Sequence, residues 1–309
     1  MSVIGHRDTI VVGGGVAGCT AGLYAKRYNL DVVVWDKVGP GGLTATATHI
    51  ENYPGFPEGI TGPELAQRVY QQAQNHGVPI ELIEATGVEA DDDEWLLHTT
   101  KGDYLATAII ITAGAHPRSL DVPGEAQLRG AGVSYCATCD GFFFREQTVA
   151  VIGGGDTALE EALYLSKLAA KVYLIHRRDE LRGQPYLQRR VFDQENIELI
   201  WDTVVTEVIG DQQVEALGLQ NKKTGEQRRL DLDGVFVSIG YKASTAWLGD
   251  LLELDDGFIV ADQYMRTSQP GIFAAGDIRN TPLRQIATAV GDASIAAYAA
   301  YQYVSQREG

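Results

Sequence analysis

Two stretches of the chain carry one pattern: a short unbroken apolar run, a glycine-rich turn, a helix-forming segment and a second apolar run. The first comprises Thr9-Ile10-Val11-Val12, the turn Gly13 to Gly18, a helix over Ala21 to Tyr28, and Asp31 to Asp36. The second comprises Val149-Ala150-Val151-Ile152, the turn Gly153 to Ala158, a helix over Leu159 to Leu168, and Lys171 to Ile175. Unbroken β-branched runs predict strands buried on both faces, as in a sheet covered by helices. Elsewhere the periods are mixed. Residues 63 to 77 predict an amphipathic helix, and 78 to 111 predict short alternating strands with a solvated hairpin tip at Asp91-Asp92-Asp93-Glu94. The buried strand Ala108 to Gly114 leads to a crossing at Ala115-His116-Pro117-Arg118. A β-rich segment, 197 to 242, ends in the strand Asp233 to Gly240 and a second crossing over Tyr241 to Thr245. Gly257 to Val260, Gly271 to Asp277 and an Ala-rich helix over Thr288 to Tyr303 then complete the first domain. The fold class is α/β, with a domain of residues 117–243 inserted between 1–116 and 244–309.

Size agrees with two domains: 309 residues exceed one ordinary core. A hydrophobic fraction of 45% with 21% charged residues is that of a globular protein. No apolar run is long enough to cross a bilayer, and the N-terminus lacks the apolar core of a signal peptide, so a cytoplasmic location is expected. Lys and Arg number 25 against 41 Asp and Glu, a net −16 that repels nucleic acid and anionic membrane. Between Lys171 and Arg190, however, six basic residues face only Asp179 and Glu180. That local positive charge points to an anionic ligand.

Candidate chemistry centres on Cys136-Ala137-Thr138-Cys139-Asp140-Gly141. Two thiols two residues apart can close a small disulfide ring, and the reduced pair can attack another disulfide. Three cysteines do not make a disulfide framework, and no second cysteine pair supplies the further ligands of a zinc site, so no metal is expected. Cys19, beside the third glycine of the first turn, reads as a packing residue. In that turn Gly13, Gly15 and Gly18 enclose Val16 and Ala17 and match the dinucleotide fingerprint, which lets a pyrophosphate sit on a helix N-terminus. Asp36 ends the following strand, where a carboxylate accepts ribose hydroxyls; it disfavours a 2′-phosphate and suits FAD or NAD. The loops Gly39 to Thr44, with Gly42 and Leu43, and Ile50 to Phe56, with Asn52, read either as site linings or as plain surface connections. In the second turn Gly153, Gly155 and Ala158 enclose Asp156 and Thr157. Here the strand ends in His176-Arg177-Arg178, followed by Arg182, and guanidinium pairs suit a 2′-phosphate. The second site is therefore expected to prefer NADPH. The bland alternative is a solvated basic strand end. Asp277 also ends a strand where ligands bind in open α/β sheets, ahead of Arg284-Gln285-Ile286.

GGGVAG at 13–18, ENYPG at 51–55, CATCDG at 136–141, GGGDTA at 153–158, HRRDELR at 176–182 and GIFAAGD at 271–277 with Arg284-Gln285 span the chain. On these motifs it resembles the low-molecular-weight thioredoxin reductases of bacteria, archaea and plants. The resemblance implies two Rossmann-like domains of the class II pyridine nucleotide-disulfide oxidoreductase type, an FAD domain with an NADPH domain inserted in it. It also implies a homodimer that passes electrons from NADPH through FAD and the Cys136–Cys139 pair to thioredoxin. On it Cys139 faces the flavin, Cys136 attacks thioredoxin and Asp140 manages the thiol proton. Asp36, Asn52, Asp277 and Gln285 match FAD contacts. His176, Arg177, Arg178 and Arg182 match a phosphate clamp, with Thr157 beside the pyrophosphate. Both the dithiol and NADPH need one flavin, which implies rotation between the domains about the two crossings.

Three departures from the family pattern stand out: Leu43 where Gln commonly follows the glycine pair, Gly240-Tyr241-Lys242-Ala243-Ser244-Thr245 at the second crossing, and Gly183-Gln184-Pro185 in place of a more helical continuation. The rival readings are a dithiol oxidase that passes electrons to oxygen, a ferredoxin-fed disulfide reductase and a non-catalytic redox-sensing flavoprotein. The first two leave the arginine cluster unexplained, and the third leaves Asp140 and the second nucleotide turn without a use.

Overall fold

The structure, a computed structural model, describes residues 3–39, 41–47 and 49–307. Pro40, in the expected 39–44 loop, lies outside the described residues. The described chain divides into two compact units, one of residues 1–116 with 242–309 and one of residues 117–241.

In the first unit β1 (Val3–Val12), α1 (Val16–Arg27) and β2 (Val32–Asp36) follow the first repeated pattern, and helix α1 begins inside the glycine fingerprint rather than at Ala21. The expected amphipathic helix is α2 (Gly62–Asn75), where the Thr61 hydroxyl accepts the Glu64 N–H as an N-cap. Four strands follow: β3 (Ile80–Leu82), β4 (Ala85–Asp91), β5 (Glu94–Thr99) and β6 (Gly102–Ile111). Asp92, with φ +48°, turns the expected hairpin tip between β4 and β5. The parallel strands lie in the order β3-β2-β1-β6. Val11 stands beside Val34 on one side and Ile110 on the other. The first half of β6 pairs antiparallel with β5. The short strand β7 (Ala115–Pro117) leaves this unit.

The second unit opens with β8 (Val133–Ser134) and the one-turn helix α3 (Ala137–Asp140), then repeats the first design as β9 (Thr148–Ile152), α4 (Asp156–Leu165) and β10 (Lys171–Ile175). Helix α5 (Pro185–Phe192) is an element the pattern did not predict. Pro185 at its first turn costs nothing, because that N–H has no helical partner. Strands β11 (Ile197–Ile200), β12 (Thr203–Ile209), β13 (Ala216–Asn221), β14 (Gln227–Asp231) and β15 (Gly234–Val237) make up the β-rich segment. The parallel sheet has the order β11-β10-β9-β15-β8, and β12-β13-β14 form a separate antiparallel sheet. Alternate residues of β9 enter opposite cores. Val149 and Val151 pack with Leu159, Leu163 and Leu174, while Ala150 and Ile152 pack with Val205, Leu217 and Leu219. This two-sided burial is why the run carries no polar alternation.

The return to the first unit passes through β16 (Tyr241–Ala243), β17 (Leu254–Asp255), β18 (Phe258–Ile259), β19 (Ile272–Ala274) and α6 (Ile286–Ser305). Strand β19 runs parallel to the second half of β6, beyond the stretch that β5 occupies. The small residues Ala293, Ala296, Ala297 and Ala300 of α6 share a core with Ala17, Ala21 and Ala25 of α1.

Candidate active site

Each unit gathers its candidate ligand groups at the carboxyl ends of its central parallel strands, where open α/β sheets bind ligands. In the first unit a cleft is lined by Gly13, Gly15, Val16, Ala17, Asp36, Gly42, Leu43, Asp277, Gln285 and Ile286. Gly18 serves packing instead: a Cβ there would run into the Gly13 carbonyl, so only glycine lets α1 start this close to β1. Gly15 and Gly42 approach through their backbones, and a Cβ on Gly15 would stand 3.8 Å from the Gly42 Cα. Asn52 lies outside the lining residues but reaches them, its Nδ2 donating to Gln285 Oε1 at 3.0 Å. Arg284 stacks its guanidinium 4.1 Å above the Phe258 ring.

Asp36 is held by three backbone donors. Gly14 N–H donates to Oδ2 at 2.7 Å, and Val38 and Gly39 N–H donate to Oδ1 at 2.9 and 2.8 Å. Oδ1 is filled by its two donors, while Oδ2, with one, keeps a second lone pair for a hydroxyl. Burial pushes Asp277 up to about 6, opposed by the Arg284 charge and reinforced by Asp292. Asp292, on α6, accepts from Arg279 Nη1 at 3.1 Å and from Gly276 N–H at 3.3 Å, which anchors the turn that carries Asp277. The cleft lining also includes Thr112, Gly114 and His116, which no motif marked. The glycine cradle, the fixed carboxylate and the half-buried acid fit the ribose and pyrophosphate of FAD.

In the second unit Gly155 caps α4, and a Cβ on Gly153 would meet the Ser238 carbonyl. Thr157 and Ala158 lie in the first turn of α4. Asp156 binds the loop that follows the arginines: Gln184 N–H donates to its Oδ1 at 2.6 Å, and Gln184 Nε2 donates to its Oδ2 at 3.2 Å. Arg182 N–H donates to the Gly154 carbonyl at 2.7 Å, so the loop is tied to the glycine turn. His176 is 4% exposed, and its Nε2 has no partner among the described residues. Burial and the charges of Arg182, Arg178 and Arg177 lower its pKa, against a backbone hydrogen bond with Gly153. The three arginine residues are exposed, and none forms an ion pair among the described residues. Three guanidiniums around an unpaired buried imidazole nitrogen fit the phosphate of a dinucleotide.

The dithiol centre lies in the same unit. Cys136 and Cys139 form a disulfide with Cα atoms 5.3 Å apart, across the single turn of α3. The Cys136 carbonyl accepts the N–H of Cys139 at 3.2 Å and of Asp140 at 3.1 Å, which closes the turn. Asp140 Oδ2 accepts from the Ser134 hydroxyl at 2.6 Å, and burial raises the Asp140 pKa against that bond. Glu161, on α4, accepts the Ala137 N–H on Oε1 at 3.1 Å. Burial pushes Glu161 up to about 7, against the lowering effect of Ala137 N–H and the Ser238 hydroxyl. Tyr135, just before the pair, donates to buried Glu125 at 2.8 Å while its carbonyl accepts the Tyr241 hydroxyl at 3.1 Å. A Cβ on Gly141 would stand 2.9 Å from Leu165, so glycine lets the turn pack on α4. Phe142 and Phe143 follow, both 48% exposed, with the Arg145 guanidinium 4.7 Å above the Phe142 ring. Ser134, Tyr135 and Glu161 carry no motif signal, because each acts through contacts that only the fold brings about.

Residues 7–293 match the family described as pyridine nucleotide-disulphide oxidoreductase. The chain belongs to this family. The thioredoxin reductase of Listeria monocytogenes is 43% identical over 303 residues, covering 97% of this chain and 94% of its own. That of Bacillus subtilis is 41% identical, covering 97% and 95%. The solved thioredoxin reductase of Streptococcus pyogenes is 44% identical, covers 97% of this chain and 99% of its own, and superposes with a TM-score of 0.91. Within the family the chain is a flavoprotein disulfide reductase that uses FAD and NADPH. The oxidase, ferredoxin-fed and redox-sensor readings are not favoured.

Proposed function

We propose that this chain reduces the disulfide of thioredoxin, acting in the cytoplasm as a homodimer, with FAD held by the first unit and NADPH by the unit that carries the dithiol. The observation that carries the reading is the Cys136–Cys139 disulfide on a turn whose last residue, Asp140, is a half-buried and hydrogen-bonded acid. The relatives' printed names support the substrate, and the family resemblance supports the dimer. No helix among the described residues is long and apolar enough to cross a membrane.

Bound NADPH and FAD supply two electrons to the Cys136–Cys139 disulfide. The residues do the rest. Asp36, Asn52, Asp277 and Gln285, with the turn Gly13 to Gly18, Gly42, Leu43, Arg284 and Ile286, hold and orient FAD. Gly153 to Ala158 receive the pyrophosphate of NADPH, and His176, Arg177, Arg178 and Arg182 clamp its 2′-phosphate. In the reduced state the Cys136 thiolate attacks a sulfur of the substrate disulfide, so one S–S bond breaks as the mixed disulfide forms. The Cys139 thiolate then attacks Cys136, which restores the internal disulfide and releases the substrate as a dithiol. Asp140 gives a proton to a departing thiolate and takes one back from a thiol. Phe142 and Phe143, exposed just after the dithiol turn, offer an apolar platform.

Anaerobic NADPH titration of the FAD-loaded protein, followed by oxidised thioredoxin, tests this reading. NADPH bleaches the flavin and thioredoxin restores its colour; colour restored by oxygen but not by thioredoxin rejects the substrate.

A further inference from the structure

We propose that Ser134 is a positioning residue for the thiol proton: its hydroxyl keeps the Asp140 carboxyl hydrogen-bonded in both protonation states and ties it to the backbone of Cys136. This rests on the assignment of Asp140 as the group that handles that proton. Ser134 ends β8 and is 5% exposed, so water does not substitute for it. Three polar atoms surround its Oγ: Asp140 Oδ2 at 2.6 Å, Cys136 N at 3.1 Å and the Cys136 carbonyl oxygen at 3.4 Å. A hydroxyl has one proton to donate and two lone pairs that accept. With Asp140 ionised, Ser134 donates to Oδ2 and accepts the Cys136 N–H. With Asp140 protonated on Oδ2, the bond reverses. The carboxyl then donates to Oγ, the Cys136 N–H remains bound, and the serine proton turns to the Cys136 carbonyl. Neither state strands a buried polar group, which is what a centre that gains and loses a proton every turnover requires.

The proton balance is explicit. Reduction adds two electrons to the S–S bond, which breaks; one sulfur takes the Asp140 proton as an S–H bond forms and the carboxyl O–H bond breaks. The products are one thiol, one thiolate and the Asp140 carboxylate, to which Ser134 now donates. The groups acting on Asp140 are few. Burial raises its pKa and the Ser134 hydroxyl lowers it, with no charged neighbour among the described residues adding to either. The carboxyl facing the turn from α4 is Glu161, whose Oε1 is occupied by the Ala137 N–H.

The test uses FAD-loaded Ser134→Ala, Ser134→Thr, Asp140→Asn and the Ser134→Ala/Asp140→Asn double variant. The pH at which Asp140 ionises is read from the protonated-carboxyl infrared band that Asp140→Asn removes. The dithiol step is timed by anaerobic stopped flow across pH. Ser134→Ala is expected to move the ionisation to higher pH and to slow the step about tenfold, the scale of one hydrogen bond to a charged group. Ser134→Thr restores both, and Ser134→Ala adds nothing in the Asp140→Asn background. An unmoved ionisation, or equal slowing with and without Asp140, overturns the proposal. If Ser134→Ala fails to fold, Ser134→Val against Ser134→Thr makes the same comparison at matched shape. If Asp140→Asn itself changes neither rate nor pH profile, the Asp140 assignment is what fails, and the inference falls with it.

Discussion

At the residue scale two carboxyl groups beside one disulfide have different tasks. Asp140 Oδ2 meets a hydroxyl that can serve it in either state, whereas Glu161 Oε1 meets a backbone N–H that it can only accept from. Glu161, raised from 4.5 to about 7, gives a signed prediction for stability. Between these values the unfolded chain has released the proton and the folded chain still holds it. The contribution of Glu161 to stability is therefore full below pH 4.5 and is lost as pH rises to about 7, a change of about 3 kcal/mol. Glu161→Gln should flatten that slope, as read from urea midpoints between pH 5 and 8; an unchanged slope would place the titration elsewhere. The cysteine roles are separable too. On the proposed roles Cys139→Ser removes the resolving sulfur, so Cys136 should hold thioredoxin as a mixed disulfide visible as a mass increase of one thioredoxin. Cys136→Ser should trap nothing. The family resemblance implies these roles, but nothing in the sequence marks the partners Ser134 and Glu161, since a serine before a motif and a glutamate on a helix are ordinary residues until packing places them.

At the element scale the chain uses one design twice and tells the copies apart at a strand's end. Strand β2 ends in Asp36, fixed by three N–H donors, and β10 runs into His176 and the arginines. The strands were legible because two-sided burial demands apolar runs. The helix starts were less so: α1 opens within the glycine turn, where the turn itself is the N-cap. Helix α5 was missed because Gly183-Gln184-Pro185 reads as a breaker, while in the fold Pro185 is its first residue. Arg177→Gln with Arg178→Gln should raise the NADPH KM about 10- to 100-fold, the worth of a charge-assisted pair of bonds, and leave the NADH KM nearly unchanged. Equal losses for both nucleotides would assign these arginines to the pyrophosphate rather than the 2′-phosphate.

At the scale of the whole molecule, stability and ligand binding are linked. The first unit is assembled from residues 1–116 and 242–309, so Gly13, Asp36, Asp277 and Gln285 line one cleft from both ends of the chain. A ligand bound there bridges the segments and favours the folded state by mass action, by about 4 kcal/mol at a thousandfold excess over its Kd. Stripping FAD should lower the melting temperature by several degrees, and re-addition should restore it in proportion to the logarithm of FAD concentration. An FAD-independent melting temperature would exclude this cleft as the flavin site. The net charge of −16 leaves the arginine cluster as a local exception, so added salt should weaken NADPH more than it weakens FAD.

The alternation and runs of apolar residues determined the strands, and spacing determined the two glycine turns and the paired cysteines, because these are local demands of backbone geometry on residues a few positions apart. Only the tertiary structure decided that Asn52 reaches Gln285, that Asp292 anchors the turn of Asp277, that Glu161 accepts from Ala137 and that His176 is buried with a nitrogen unpaired. Those contacts join residues that lie far apart along the chain or on different elements. Their energy depends on desolvation and hydrogen-bond geometry, which exist only once the elements have packed.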